Sequence, residues 1–451
     1  MAIIPQPHLF SWENVDAESD LRRLELVLQA LPDEKLMQKL EFGRGGGRND
    51  YPVRAVWNSL IAAVVFEHEK AESLRRELMR NGELRQVCGF DPHLGSAAVP
   101  TPRAYTNFLK ALFKCTDEIE AMFDQLVQQL TQLLPDFGKC LAVDSKAISS
   151  FSRGKSKHTK SDGRRDLDAD WGRKEYKGVR EDGTLWKKLT KWFGYKLHLV
   201  VDSTYELPVA LDLTRASKSD QKHLLPLMEK IKQTHPDLIE RAEHLSADRG
   251  YDSEKHNRAL YDDFGIKPII AIRHMWKDPD HTRPLFPERV DNIVYDKDGT
   301  IFCVCPKTSE HHQMAYSGFE KDRDTLKYRC PATAYGIECK GLKLCSKSVS
   351  KYGRVVRVSL SLDRRLFVPV ARSSYKWRHE YKKRTGVERV NSRLYVSFGF
   401  EKHTTRGMKK MRLKVGLALV VMLALAVGAI ESGGKEKMRS LVDCLPKQAV
   451  A

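Results

Sequence analysis

The stretch that decides the fold is Lys139-Cys-Leu-Ala-Val-Asp144-Ser-Lys-Ala-Ile-Ser149. Leu141, Ala142 and Val143 read as a short buried strand that carries a carboxylate, Asp144, into its interior or out at its edge. A charged Asp among strand-forming apolar residues is costly unless something positive compensates it. A hard divalent cation such as Mg²⁺, which takes carboxylate oxygens, is the usual compensation. Taken alone, an Asp of this kind reads rather as a turn residue just past a strand. Here the pattern recurs at Glu243-His-Leu-Ser-Ala-Asp248, and a helix Glu follows at 388.

Between the two acids, Tyr195 to Val201 and Leu207 to Thr214 alternate as strands joined by a turn at Asp202 to Glu206. Ser219 or Asp220 caps a helix bearing Leu224, Leu227, Met228 and Ile231, and Ser253 caps another that runs to Tyr261. Ile266 to Ile272 is a further strand. The polar segment Ser152 to Lys191 reads as an insertion or irregular loop. The order strand, strand, strand, helix, strand, helix, strand gives a mixed sheet with helices packed on it. It is the order of the RNase H-like α/β fold, in which the first strand and the end of the fourth lie side by side. Asp144 and Asp248 would then meet.

Residues 1–135 show apolar spacing of three and four, as in Leu21 to Leu31 and Tyr51 to Glu67, and form an all-helical N-terminal domain. Thr101 and Pro102 start one of its helices. Several short helices with exposed Arg and Lys suit a DNA-binding module, although an all-helical packing or oligomerisation domain fits as well. The core's first part is expected over 136–275, a Cys-containing β-rich insertion over 276–370, the core's C-terminal helices over 371–432, and a loose tail over 433–451.

A formal charge of +18, from 77 basic and 59 acidic residues, favours polyanion partners, with nucleic acid ahead of membrane surface. The N-terminus carries no basic stretch followed by an apolar core, so no secretory signal is expected, and the location is cytoplasmic. Val415 to Ile430 is shorter than the roughly 20 residues a bilayer needs and reads as a buried helix, with no membrane partner.

The third acid lies in Tyr381-Lys-Lys-Arg-Thr-Gly-Val-Glu388-Arg-Val-Asn-Ser-Arg-Leu-Tyr395. At helical spacing Tyr381, Arg384, Glu388 and Tyr395 share a stripe beside an apolar face of Val387, Val390, Leu394 and Phe398. Lys382, Lys383, Arg389 and Arg393 surround Glu388, as cations would beside a phosphate backbone; alone, the same helix would read as a solvated face of ordinary ion pairs. Glu380 and Glu401 are rival acids without Tyr and Arg at the same spacing.

Asp144 in its strand, Ala-Asp248-Arg-Gly-Tyr-Asp252-Ser, and the Tyr381, Arg384, Glu388 helix together resemble a DDE transposase of bacterial insertion sequences. The N-terminal helices resemble the InsH-type domain of that group, and the resemblance runs from about residue 15 to residue 430. It implies a nucleoid-associated bacterial enzyme in which Asp144, Asp248 and Glu388 hold two Mg²⁺ (or Mn²⁺) ions, roughly 4 Å apart in such sites. Water would cleave at the transposon end, and the freed 3′-OH would attack target DNA. Tyr381, Lys382, Lys383, Arg384, Arg389 and Arg393 would contact DNA, and a homodimer on DNA is expected. The family's Lys falls at Tyr395, with Arg393 or Lys402 as nearby substitutes.

Cys303, Cys305, Cys330, Cys339 and Cys345 cluster in the insertion, and four thiolates can build a Zn²⁺ site, here Cys305, Cys330, Cys339 and Cys345, although reduced core thiols fit as well. Cys140 reads as a plain thiol, and His158, His198, His223 and His244 show no metal-like spacing. Two rival readings remain: another RNase H-like nuclease, and a transposase-derived DNA-binding protein that no longer cuts.

Overall fold

A computed structural model of the chain describes residues 19–44, 50–154, 165–180, 182–273, 276, 281–345 and 353–440. His158, Cys444 and residues 441–451 of the expected tail lie outside the described residues. The strand that begins at Cys140 is the centre of a six-stranded mixed sheet. Its members are β1 (Cys140–Ser149), β2 (Asp170–Val179), β3 (Leu185–Asp202), β4 (Leu207–Arg215), β5 (His244–Ala247) and β6 (Lys267–Ile270). Across the sheet the order is β4, β3, β1, β5, β6. β1 is antiparallel to β3 and parallel to β5, and β5 is parallel to β6. Leu141, Ala142 and Val143 are buried, as a continuous apolar run in a central strand requires.

The segment Ser152 to Lys191, expected to be irregular, instead forms a long hairpin in its described part. β2 pairs with the first half of β3 from Asp170↔Gly194 to Val179↔Leu185. Lys and Arg at both faces conceal the alternation, but two cross-strand pairs hold it. Trp192 lies over Gly172 and Trp186 over Gly178, where an added Cβ would come within 2.4 Å and 2.3 Å of the indole rings. Glycine opposite tryptophan is the legible signature of this hairpin.

Among the described residues seven α-helices precede the sheet: α1 (Ser19–Ala30), α2 (Glu34–Arg44), α3 (Val53–Val65), α4 (Ala71–Arg80), α5 (Gly82–Cys88), α6 (Pro102–Leu112) and α7 (Thr116–Leu133). Thr101 accepts from the Ala104 N–H at 3.2 Å and Pro102 opens α6. Within the sheet region come α8 (Gln221–Thr234), α9 (Pro236–Arg241) and α10 (Glu254–Asp262). Ser253 caps α10 through the His256 N–H. Asp220 precedes α8 without capping it and pairs with Lys196 at 2.9 Å.

Residues 282–359 hold two further sheets with a core of their own around Ile293, Leu326, Tyr328 and Val358. One sheet joins β7 (Thr282–Pro284), β8 (Ile293–Asp296), β9 (Ile301–Val304) and β10 (His311–Gln313). The other joins β11 (Ala315–Glu320), β12 (Thr325–Arg329) and β13 (Val355–Ser359). Short helices α11 (Pro331–Tyr335) and α12 (Leu342–Cys345) follow β12.

The chain returns as α13 (Tyr375–Lys382), α14 (Thr385–Val396) and α15 (Met408–Glu431). The single stripe expected from Tyr381 to Tyr395 is broken between α13 and α14. Gly386 marks the reason: an added Cβ would come within 2.9 Å of the Ser203 backbone, so α14 starts pressed against the β3–β4 turn. Val387, Val390, Leu394 and Phe398 are buried beneath it. α15 is long and apolar enough to cross a bilayer, yet its side chains are covered by α1, α3, α7 and β4. A helix apolar on all sides is stable in water only when surrounded. One hydrophobic core therefore runs from the first helices through the sheet to α15.

Candidate active site

The parallel pairing of β1 and β5 ends at Val143↔Ala247, so Asp144 and Asp248 follow at the next position of adjacent strands. The Ser145 N–H donates to Asp144 at 2.8 Å, and the Gly250 N–H donates to Asp248 at 2.7 Å. Gly250 allows that close approach, because a Cβ there would lie 2.7 Å from the Asp248 oxygen. Burial, reinforced by the neighbouring Asp248, pushes the Asp144 carboxyl up to about 6, against the pull of the Ser145 N–H, Lys174 and Arg384. Two carboxylates side by side at a strand end, one reluctant to ionise, form a site that a cation would relieve.

Glu388 sits on the first turn of α14, which packs on β1 and β3. Its side chain is 50% exposed and accepts from Arg384 at 2.8 Å. Arg384 also acts electrostatically on Asp144, linking the acid on the helix to the acids on the sheet. Tyr381 stacks on Trp377 with ring centroids 4.8 Å apart, and the Arg384 guanidinium lies 5.7 Å from the Tyr381 ring.

The remaining basic residues of this helix pair divide. Lys382 is exposed. Lys383 turns inward to Glu380 at 2.8 Å. Arg389 pairs with the Glu206 carboxylate, and Arg393 donates to the Glu206 carbonyl. Burial lowers the Arg393 guanidinium to about 10. These two arginines fasten α14 to the β3–β4 turn.

Sequence reasoning missed Lys146. It lies two residues beyond Asp144 on β1, hence on the same face. Its ammonium rests 4.4 Å from the centroid of the Tyr395 ring and forms no ion pair among the described residues. Its signal was the i, i+2 spacing in Asp144-Ser-Lys146. Asp252, four residues after Asp248, plays a structural part instead. It is fully buried and pairs with Arg365 at 2.7 Å, docking the segment after β13 onto the sheet.

In the insertion, an added Cβ at Gly341 would lie 2.9 Å from Cys305 Sγ. Cys303, Cys330 and Cys339 line one small cavity with His312. Hydrogen bonds from the Thr308 hydroxyl, the Lys307 and Thr308 backbone and Cys339 lower the Cys305 thiol to about 7, against a smaller effect of burial. The Cys345 side chain lies outside the described residues. Among the described residues, the group of three ligand-type side chains within 4.8 Å of one another is a different one: Cys140, His244 and Glu380.

Residues 135–424 match the family described as the transposase DDE domain. A putative transposase for insertion sequence element IS402 from Burkholderia cepacia is 45% identical over 85 residues, which are 18% of this chain and 38% of the relative. The chain thus spans less than half the length of that curated relative. Among solved structures, a piggyBac transposase synaptic complex with hairpin DNA aligns at a TM-score of 0.37 and 10% identity, over 96% of this chain and 80% of that one.

Proposed function

The chain belongs to the transposase DDE domain family, and on that footing we propose that it is an insertion-sequence transposase that cuts DNA at the element's ends and joins the freed 3′ ends to target DNA. The observation that carries this reading is the register that sets Asp144 beside Asp248 at the ends of two parallel strands. The strand order β4, β3, β1, β5, β6 supports an RNase H-like core over 136–275 and 371–432. The seven helices before the sheet and the strands after it support the N-terminal DNA-binding and insertion assignments.

The donor set is all carboxylate, which suits Mg²⁺ or Mn²⁺ at Asp144, Asp248 and Glu388. When bound, such ions activate the attacking oxygen and stabilise the leaving one. The chain's own residues do the rest. Arg384 holds Glu388 in place and offsets the charge on Asp144. Lys146, propped on Tyr395, supplies the ammonium that the family's Lys would provide from the helix, and it binds the phosphate next to the cut bond. Lys382, Arg384 and the Tyr381 edge extend the DNA contact, whereas Arg389 and Arg393 brace the helix that presents it. Lys174 brings the basic β2–β3 hairpin towards the same acids.

Hydrolysis of one phosphodiester frees a 3′ hydroxyl, and its attack on another exchanges one P–O bond for one P–O bond, so no outside energy is needed. Two ends must be brought together, so the enzyme works as a homodimer on DNA, in the cytoplasm at the nucleoid. Cys305, Cys330 and Cys339, with Cys345, would supply the thiolates for a structural Zn²⁺ in the insertion. The test is incubation with supercoiled DNA carrying the element's flanks and Mg²⁺ or Mn²⁺. Metal-dependent 3′-OH release at the flanks supports the reading, and binding without any cutting sinks it.

A further inference from the structure

The same two strands that carry Asp144 and Asp248 carry a second cluster at their opposite ends. Cys140 pairs in register with His244, and α13 lays Glu380 over both. Cys140 Sγ and His244 Nδ1 lie 3.8 Å and 3.9 Å from the same oxygen, Glu380 Oε2. Ligands on one tetrahedral Zn²⁺, with bonds of about 2.0–2.3 Å, stand roughly 3.4–3.5 Å apart. The sulfur and the nitrogen would each close on that oxygen by about half an ångström or less, and all three ligand atoms already lie within 4.8 Å of one another.

His244 is the residue that a purely structural cluster leaves unexplained. Its side chain is 6% exposed, and neither ring nitrogen has a hydrogen-bond partner. The carboxylates of Glu380 and Glu243 both stop at 3.9 Å. A buried imidazole with both nitrogens unmatched is unusual, because each polar atom left so costs about 1–3 kcal/mol. Lys383 accounts for the other two groups, with its ammonium 2.8 Å from Glu380 and 3.5 Å from Cys140. An ammonium only donates, and this one does not reach His244. Its side chain is 32% exposed, so it can swing to solvent and leave the pocket to another cation.

We infer that Cys140, His244 and Glu380 form a binding site for a zinc-class transition-metal ion, with Lys383 as the built-in cation that the ion displaces. The set of one sulfur, one nitrogen and one oxygen suits Zn²⁺ or Co²⁺ and disfavours Mg²⁺. Binding replaces the thiol proton with the metal and releases that proton to solvent. The ion would fasten α13 to β1 and β5. Because α13 leads directly into α14, it would also fix the helix that carries Glu388.

The test is Co²⁺ titration of the full chain, followed by thiolate-to-cobalt absorption, with Zn²⁺ affinity measured by competition. Cys140→Ser and His244→Ala should each remove the same part of the thiolate band, leaving the part due to the insertion's cysteines. Lys383→Ala, at a residue that reaches solvent, should bind Zn²⁺ at least about 5-fold more tightly, and it tests the site even if the other variants unfold. Superimposable spectra for wild type, Cys140→Ser and His244→Ala overturn the inference. So does a Lys383→Ala protein with unchanged Zn²⁺ affinity.

Discussion

The two ends of the β1–β5 pair differ although the strands are the same. Roughly 13 Å of strand separates Cys140 from Asp144. At the far end, oxygen donors stand near two cations: Lys146 on its aromatic support and Arg384 paired with Glu388. At the near end, sulfur, nitrogen and oxygen donors are closed under α13 with Lys383 already inside. On the proposed readings, one end exchanges ions and substrate and the other holds a helix. The contrast arises because a parallel pair places like positions together at both ends, whatever chemistry those positions carry.

The sharpest way to separate the ends is Asp144→Asn. Cleavage at the element's ends should fall at least about 10³-fold, which is ~4 kcal/mol of barrier, while DNA affinity holds. The thiolate-to-cobalt band should keep its full intensity in this variant. Loss of the band along with cleavage would mean that the two ends are one coupled site, and full cleavage would remove Asp144 from the chemistry.

Asp252 tests whether acids near the open end are all of one kind. Its carboxylate is fully buried and pairs with the part-exposed Arg365, so Asp252→Ala removes that ion pair and leaves the Arg273 N–H without its acceptor. Stability should drop by about 2–3 kcal/mol, read from urea unfolding. A drop under ~1 kcal/mol would show that the segment after β13 is not docked through this pair.

The open end was legible in the sequence, and the closed end was not. Leu-Ala-Val-Asp144 and Leu-Ser-Ala-Asp248 are local patterns, and a strand order readable from periodicity was enough to bring them together. Cys140, His244 and Glu380 are spread over 241 positions with no spacing to mark them, and only the pairing register and the seat of α13 make them neighbours. The hairpin escaped because its charged faces mask the alternation, with only the Gly–Trp pairs to betray it. The helix break at Gly386 escaped because it depends on how closely α14 approaches Ser203. On the proposed reading Lys146 takes the part that spacing suggested for Arg393, for a similar reason: sequence spacing shows which helix face a cation shares, and the turn at Glu206 decides where the guanidinium goes.

That exchange is testable. Lys146→Ala should slow cleavage about 30–100-fold, ~2–3 kcal/mol, with Lys146→Arg recovering part of it. The double variant Lys146→Ala, Tyr395→Lys returns an ammonium to the same space from the helix, and should recover most of the rate. A double variant as slow as Lys146→Ala alone would show that the strand position itself is needed.

The smallest effect concerns stability rather than rate. Without metal, the open end holds a carboxyl raised to about 6, chiefly by burial. A carboxyl raised in the folded state binds its proton more tightly there than in the unfolded chain. Stability is therefore lost as pH rises from about 4 to about 6, and the full cost stands above that range. A rise from 3.8 to about 6 corresponds to ~3 kcal/mol at most, and to less because Asp144 is partly exposed. Asp144→Asn removes the cost, so the metal-free variant should unfold later than wild type at pH 7.5 and together with it near pH 4. Asp202 is also raised to about 6 by burial, but it is present in both proteins and cancels in the difference. Adding Mg²⁺ should stabilise wild type at pH 7.5 with the logarithm of its concentration above the dissociation constant and close the gap. The closed end, with Lys383 already in place, should give no such response to Mg²⁺. A metal-free Asp144→Asn protein less stable than wild type at pH 7.5 would mean that the open end is held by its charge rather than strained by it.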